Sequence, residues 1–112
     1  MIHEMKLNDK AFNNIKNGIK KFELRLYDDR RKNINLGDTI IFHNLNNLDD
    51  TISVNVLALL IYPTFADFFS DIDYRLCGTA NNLEEKIERV HTFYTVEQEK
   101  KYGILAIKIQ LL

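Results

Sequence analysis

The sequence predicts a small α+β domain, and three observations carry that expectation. Stretches of period-two alternation and stretches of helical spacing follow one another in mixed order, giving about five strands and three or four short helices. At 112 residues the chain can bury one core but not two, so it is expected to form a single domain over residues 1–112. An apolar share of 46% and a charged share of 28% match an ordinary soluble globular protein.

Ile2 to Leu7 alternates as a first strand, with Ile2, Glu4 and Lys6 opposing His3, Met5 and Leu7. Asn8-Asp9 then offers a side-chain oxygen to the free amides of a helix start. Ala11, Phe12, Ile15 and Ile19 recur at helical spacing around Gly18, a residue suited to a helix end. Beyond it the pattern turns to alternation, Phe22, Leu24 and Leu26 against Lys21, Glu23, Arg25 and Tyr27. Asp28 to Asn33 is a polar turn carrying the basic triplet Arg30-Arg31-Lys32, either solvated or a phosphate-contacting lip.

Leu36-Gly37-Asp38 signals a turn into a strand over Thr39–His43, and Asn44 to Asp50 reads as a polar hairpin-like connection. Thr51 to Tyr62 is the longest strand candidate; its continuously apolar second half, Leu57 to Ile61, implies cover on both faces and core positions for Leu59 and Ile61. Pro63 ends it, and Thr64 with Asp67 opens a short helix whose Phe65, Phe68 and Phe69 fit a core face. Asp71 to Cys77 lacks a pattern. Asn81 or Asn82 starts the clearest helix, with an apolar face of Leu83, Ile87, Val90 and Phe93 or Tyr94. Thr95 with Gln98 starts another that Gly103 ends, and Ile104 to Leu112 alternates as the last strand.

Composition narrows the function classes. A formal charge of −1 leaves no global field for long nucleic acid, so any such role needs a local patch or pocket. The single Cys77 cannot form an internal disulfide and reads as a small buried hydrophobe. His3, His43 and His91 lie far apart in sequence, so no metal site and no cofactor are expected. No apolar run approaches the roughly 20 residues that cross a bilayer, and the start lacks a signal-peptide pattern; a cytoplasmic protein without membrane contact is expected.

The spacing Gly18-x-Lys20-x-x-Glu23-x-Arg25 resembles the signature of the ASCH domain, a relative of the PUA barrel. Leu36 to Phe42 resembles that family's second strand entry, and Tyr102 to Ile107 its closing strand. The resemblance implies a small, mostly antiparallel β-barrel flanked by short helices, which pattern alone does not distinguish from an open sheet. It also implies binding of RNA or of a nucleotide or nucleoside. Some members deacylate acetylated cytidine with a Thr where this chain has Glu23, a Lys matching Lys20, and a downstream Glu, for which Glu84, Glu85 and Glu88 are loose candidates.

With Phe22, Leu24 and Leu26 turned into the barrel, Glu23 and Arg25 are expected to face outward into a cleft, within reach of Lys20. Flanked by two cations, Glu23 should stay ionised and offer an acceptor beside donors, the elements that read a base edge. The expected ligand-binding residues are Lys20, Glu23, Arg25, Tyr27, Arg30, Tyr62 and Tyr102, the tyrosines as stacking walls or equally as core. If the chain is a hydrolase, Lys20 and Glu23 are its catalytic candidates. Three functions therefore stand: a binding module for RNA or a modified nucleotide, a small hydrolase of acylated cytidine nucleosides or RNA, and a protein-interaction domain without a ligand.

Overall fold

The computed structural model describes residues 1–112. Five strands form one curled sheet: β1 (Ile2–Leu7), β2 (Phe22–Leu26), β3 (Thr39–Asn44), β4 (Asn47–Tyr62) and β5 (Ile104–Leu111). Four helices accompany it: α1 (Asp9–Lys16), α2 (Phe65–Asp71), α3 (Leu83–Phe93) and α4 (Val96–Tyr102). The strand order is β1-β3-β4-β5-β2, with β1 and β3 parallel and the other three pairings antiparallel. The sheet is a half-barrel whose edge strands β1 and β2 share no ladder. Across that seam the Arg25 guanidinium donates to the Lys6 carbonyl at 3.2 Å, a side-chain substitute for the missing backbone pairing.

Two apolar clusters lie on the two faces of the sheet. Inside the curl, Phe12 and Ile15 of α1 pack on Ile40, Phe42, Val54, Val56, Leu105 and Ile107. Outside it, Phe65, Phe68 and Phe69 of α2 and Val90 of α3 pack on Phe22, Leu24, Ile104 and Ala106. The α2 phenylalanines are thus core, as their spacing predicts. Glu99 of α4 ties this layer together: it is buried, accepts from the Phe65 amide at 2.6 Å, and meets His91 Nε2 at 3.2 Å.

The expected helix punctuation is present. Asn8, Thr64, Asn82 and Thr95 each accept an amide three residues on, and Thr95 with Gln98 forms both legs of a capping box. The end of α1 is a Schellman motif, with Ile19 N bonded to Asn14 O and Gly18 N to Ile15 O, and Gly18 takes φ +77°.

Several expectations are corrected. The facing of β2 is reversed. Glu23 and Arg25 pair with Ile107 and Leu105 and share their inner face, while Phe22 and Leu24 face the helices. Alternation assigns two faces but does not say which is inside when both are covered. The second half of β4 is not covered on both faces: Leu57 is 47% exposed and Ile61 56%, and Leu59 is only half-buried. A bulge between Val56 and Ala58 shifts the register there. Strand β4 starts at Asn47, so the hairpin connection is tighter than expected, with Asn46 N held by Asn44 Oδ1. Tyr74–Cys77 is a short 3-10 turn rather than irregular chain. On α3, Leu83 and Phe93 are exposed, and Lys86 is buried in the stripe instead.

Candidate functional site

The Schellman turn reverses the chain after α1 and delivers Lys20 to the head of β2, its amide bonded to Asn14 O at 2.9 Å. One residue on, Lys21 N donates to Leu76 O at 2.7 Å, which draws the segment Cys77–Thr79 alongside. These two anchors place the α1 end, the β2 edge and the approach to α3 around one cleft of about 310 Å³.

At its floor lies Glu23, 3% exposed. Lys20 Nζ binds its Oε1 at 2.7 Å, and Arg25 binds its Oε2 through Nη2 at 2.7 Å and Nε at 3.0 Å. Lys20, Glu23 and Arg25 therefore converge as their spacing suggests. Burial alone would raise the Glu23 pKa, but the charges and hydrogen bonds of Lys20 and Arg25 outweigh it and hold the carboxyl at about 2. Burial likewise disfavours the Arg25 cation, yet Glu23 raises its pKa on balance.

Opposite stands Lys86 of α3, 7% exposed, its ammonium donating to Cys77 O at 2.9 Å. Burial, followed by repulsion from Lys20, brings its pKa down to about 8. Gly78 makes room for this ammonium: a Cβ there would lie 3.4 Å from Lys86 Nζ, on a backbone with φ +118°. Cys77 lies buried beneath, and burial pushes its thiol up to about 12, so it is no nucleophile.

Six cations line the cleft (Lys6, Lys10, Lys20, Arg25, Lys86 and Arg89) against one carboxylate, Glu23. Arg89 is partly engaged, binding Glu85 at 2.6 Å and donating to Thr79 O. Leu7, Ala11, Leu45 and Val90 supply apolar wall, and Phe93 and Tyr94 supply aromatic wall. No group of three or more His, Cys, Asp or Glu side chains is placed to hold a metal.

The other expected site residues lie elsewhere. Tyr27 packs against the inner cluster with Lys32 Nζ 5.3 Å above its ring. Tyr62 packs in the outer layer and donates to Asp71 at 2.7 Å, and Tyr102 lies under Lys101. None of these three tyrosines lines the cleft, nor does Glu84, Glu85 or Glu88. Arg30 lines a second, open cleft beyond Arg25. The cleft residues missed from sequence include Lys6, Lys10, Asn14, Lys86, Arg89, Phe93 and Tyr94. A signal existed for Lys86: a lone cation inside the helical stripe Leu83, Ile87, Val90.

The model of the ASCH domain family matches residues 5–112. The chain belongs to the ASCH family. Among solved structures, the hypothetical protein PH0355 is 34% identical with full coverage of both chains and a TM-score of 0.89. Protein PF0455 from Pyrococcus furiosus is 33% identical over 100% of this chain and 98% of its own, with a TM-score of 0.77. The ASCH domain from Lactobacillus crispatus JV V101 shares the fold at 13% identity and a TM-score of 0.70, over 98% of this chain and 79% of its own. The comparison with curated proteins finds no match. No helix of this ASCH protein is long and apolar enough to cross a membrane.

Proposed function

We propose that this ASCH domain binds a nucleotide, or an unstacked base of RNA, in the cleft between α1, β2 and α3. The observation that carries this reading is the donor set of Lys20, Arg25, Lys86 and Arg89, gathered around one buried carboxylate between apolar and aromatic walls. Such a lining suits a base: flat faces stack on Phe93 or Tyr94, while ring nitrogens, carbonyls and phosphates accept from the cations. A volume of about 310 Å³ is in the range of small-ligand pockets. The family's association with RNA and nucleotides points the same way.

Glu23 acts in this reading as a positioning group. Its side chain is 4% exposed and both oxygens are engaged, so it fixes the Lys20 and Arg25 head groups more than it meets a ligand. Hydrolysis is not favoured. A carboxyl held at about 2 is a weak general base at neutral pH.

The test is a calorimetric titration with the four ribonucleosides, their monophosphates and a short single-stranded RNA. Wild type is expected to bind at least one probe. Arg25→Ala and Arg89→Ala, checked by circular dichroism for an intact fold, are expected to bind it at least tenfold more weakly. No binding by wild type at millimolar concentrations, or equal binding by both variants, rejects the proposal.

A further inference from the structure

On the far side of Arg25 the β1/β2 seam opens into a second cleft of about 700 Å³. Lys6 and Arg25 line both clefts, so the two are neighbours with the Arg25–Lys6 hydrogen bond between them. Arg30 and Arg31 add two more cations. Against these four stand Glu4, which His43 Nε2 binds at 3.0 Å, and the exposed Asp49.

Arg31 is the unusual member. Its side chain is only 13% exposed, yet its one acidic neighbour, Asp28, lies 3.8 Å away, beyond hydrogen-bond distance. Its Nε is buried with no partner at all. A buried guanidinium N–H left unpaired costs free energy, which the Arg31 side chain recovers by turning toward an acceptor in the cleft. Burial, then the nearby Arg25 charge, lowers the Arg31 pKa; this cluster repels itself in the absence of an anion.

We propose that this second cleft is a phosphate subsite, formed by Arg25, Arg30, Arg31 and Lys6. Arginine forks match the paired oxygens of a phosphate; Arg30 and Arg31 offer theirs, while Arg25, its Nε and Nη2 held by Glu23, adds charge and its remaining Nη1 donors. Resting on the base-binding reading above, the subsite makes the ligand a nucleotide or RNA strand rather than a free nucleoside. The base enters the main cleft, the phosphate sits in the second, and the Arg25–Lys6 contact is the wall between them.

The experiment is a ¹⁵N–¹H correlation titration that follows the arginine Nε–H signals as well as the amides. The probes are inorganic phosphate, the four ribonucleosides, and their 5′- and 3′-monophosphates. Phosphate is expected to shift the Arg31 Nε–H and the amides of residues 28–33. One monophosphate is expected to bind at least threefold tighter than its nucleoside. Arg31→Gln should abolish that ratio, leaving nucleoside affinity unchanged, and Arg30→Gln, at an exposed position, should reduce it without risk to the fold. A phosphate titration that leaves Arg31 Nε–H unmoved overturns the subsite, as does a ratio that persists in both variants. Nucleosides that leave the main cleft unperturbed, while phosphate still shifts Arg31, remove the base reading and support the subsite alone.

Discussion

Glu23→Gln probes the charge at the floor of the main cleft, because it keeps the side-chain shape while removing the ionisation and one of the two accepting oxygens. The carboxyl is held at about 2 against an ordinary 4.5, a difference worth on the order of 3 kcal/mol of preference for the folded state. Removing one partner from a buried ion pair independently costs about 3–5 kcal/mol. Lys20 and Arg25 retain 11% and 14% side-chain exposure, which places the expectation at the lower end, about 3 kcal/mol at pH 7. The pH dependence has a definite sign. A carboxyl depressed in the folded state contributes fully above its ordinary pKa and loses that contribution as pH falls from about 4.5 through about 2. The gap between wild type and Glu23→Gln should therefore shrink to about 1 kcal/mol at pH 3. Urea denaturation of both proteins at pH 7 and pH 3, followed by circular dichroism, measures it. A gap below roughly 0.5 kcal/mol at pH 7, or one that does not change with pH, refutes a carboxylate clamped by two cations.

Leu59→Ala should cost about 2 kcal/mol, the low end for a truncated leucine, whereas Ile61→Ala, at a position 56% exposed, should cost less than about 1 kcal/mol in the same denaturation assay. Gly103 has φ +70° and a Cβ there would sit 3.1 Å from the Tyr62 carbonyl oxygen, so Gly103→Ala should lower stability by more than about 1 kcal/mol; an unchanged midpoint would contradict it. Single-stranded RNA binding through two to four of the seam cations should show a log–log salt slope of roughly −1.4 to −2.8, and a slope steeper than about −4 would place binding on a wider surface. Purified protein incubated with acetylated cytidine should show no efficient deacetylation, since Glu23 is locked and no Glu84, Glu85 or Glu88 carboxylate lines the cleft. Turnover that disappears in both Lys20→Ala and Glu23→Ala would overturn that expectation.

Local signals in the sequence were readable because they act locally. Caps at Asn8, Thr64, Asn82 and Thr95, the Gly18 turn and the alternation of β1 and β5 each depend on a few neighbouring residues. The motif residues Lys20, Glu23 and Arg25 met because one turn and one strand carry all three. What failed depended on distant partners. The facing of β2 is decided by which cluster lies on each side, and both sides are apolar. Ile61 is exposed where β4 runs past the end of β3, which pairs with it only as far as Asn55, and an apolar run does not reveal that. Net charge pointed to a local patch but could not place it: −1 over the chain goes with six cations around one carboxylate in a single cleft. Lys86 and Arg89 reach that cleft from α3, more than 60 residues beyond the motif.

Whether the main cleft is a base-binding site is decided by a crystal soaked with a mixture of the four ribonucleosides and their monophosphates. One base is expected between the Lys20–Glu23–Arg25 floor and the Phe93–Tyr94 wall, with Lys86 or Arg89 donating to its edge. Density for a nucleoside only outside this cleft, or an empty cleft at millimolar ligand in crystals whose packing leaves it open, contradicts it.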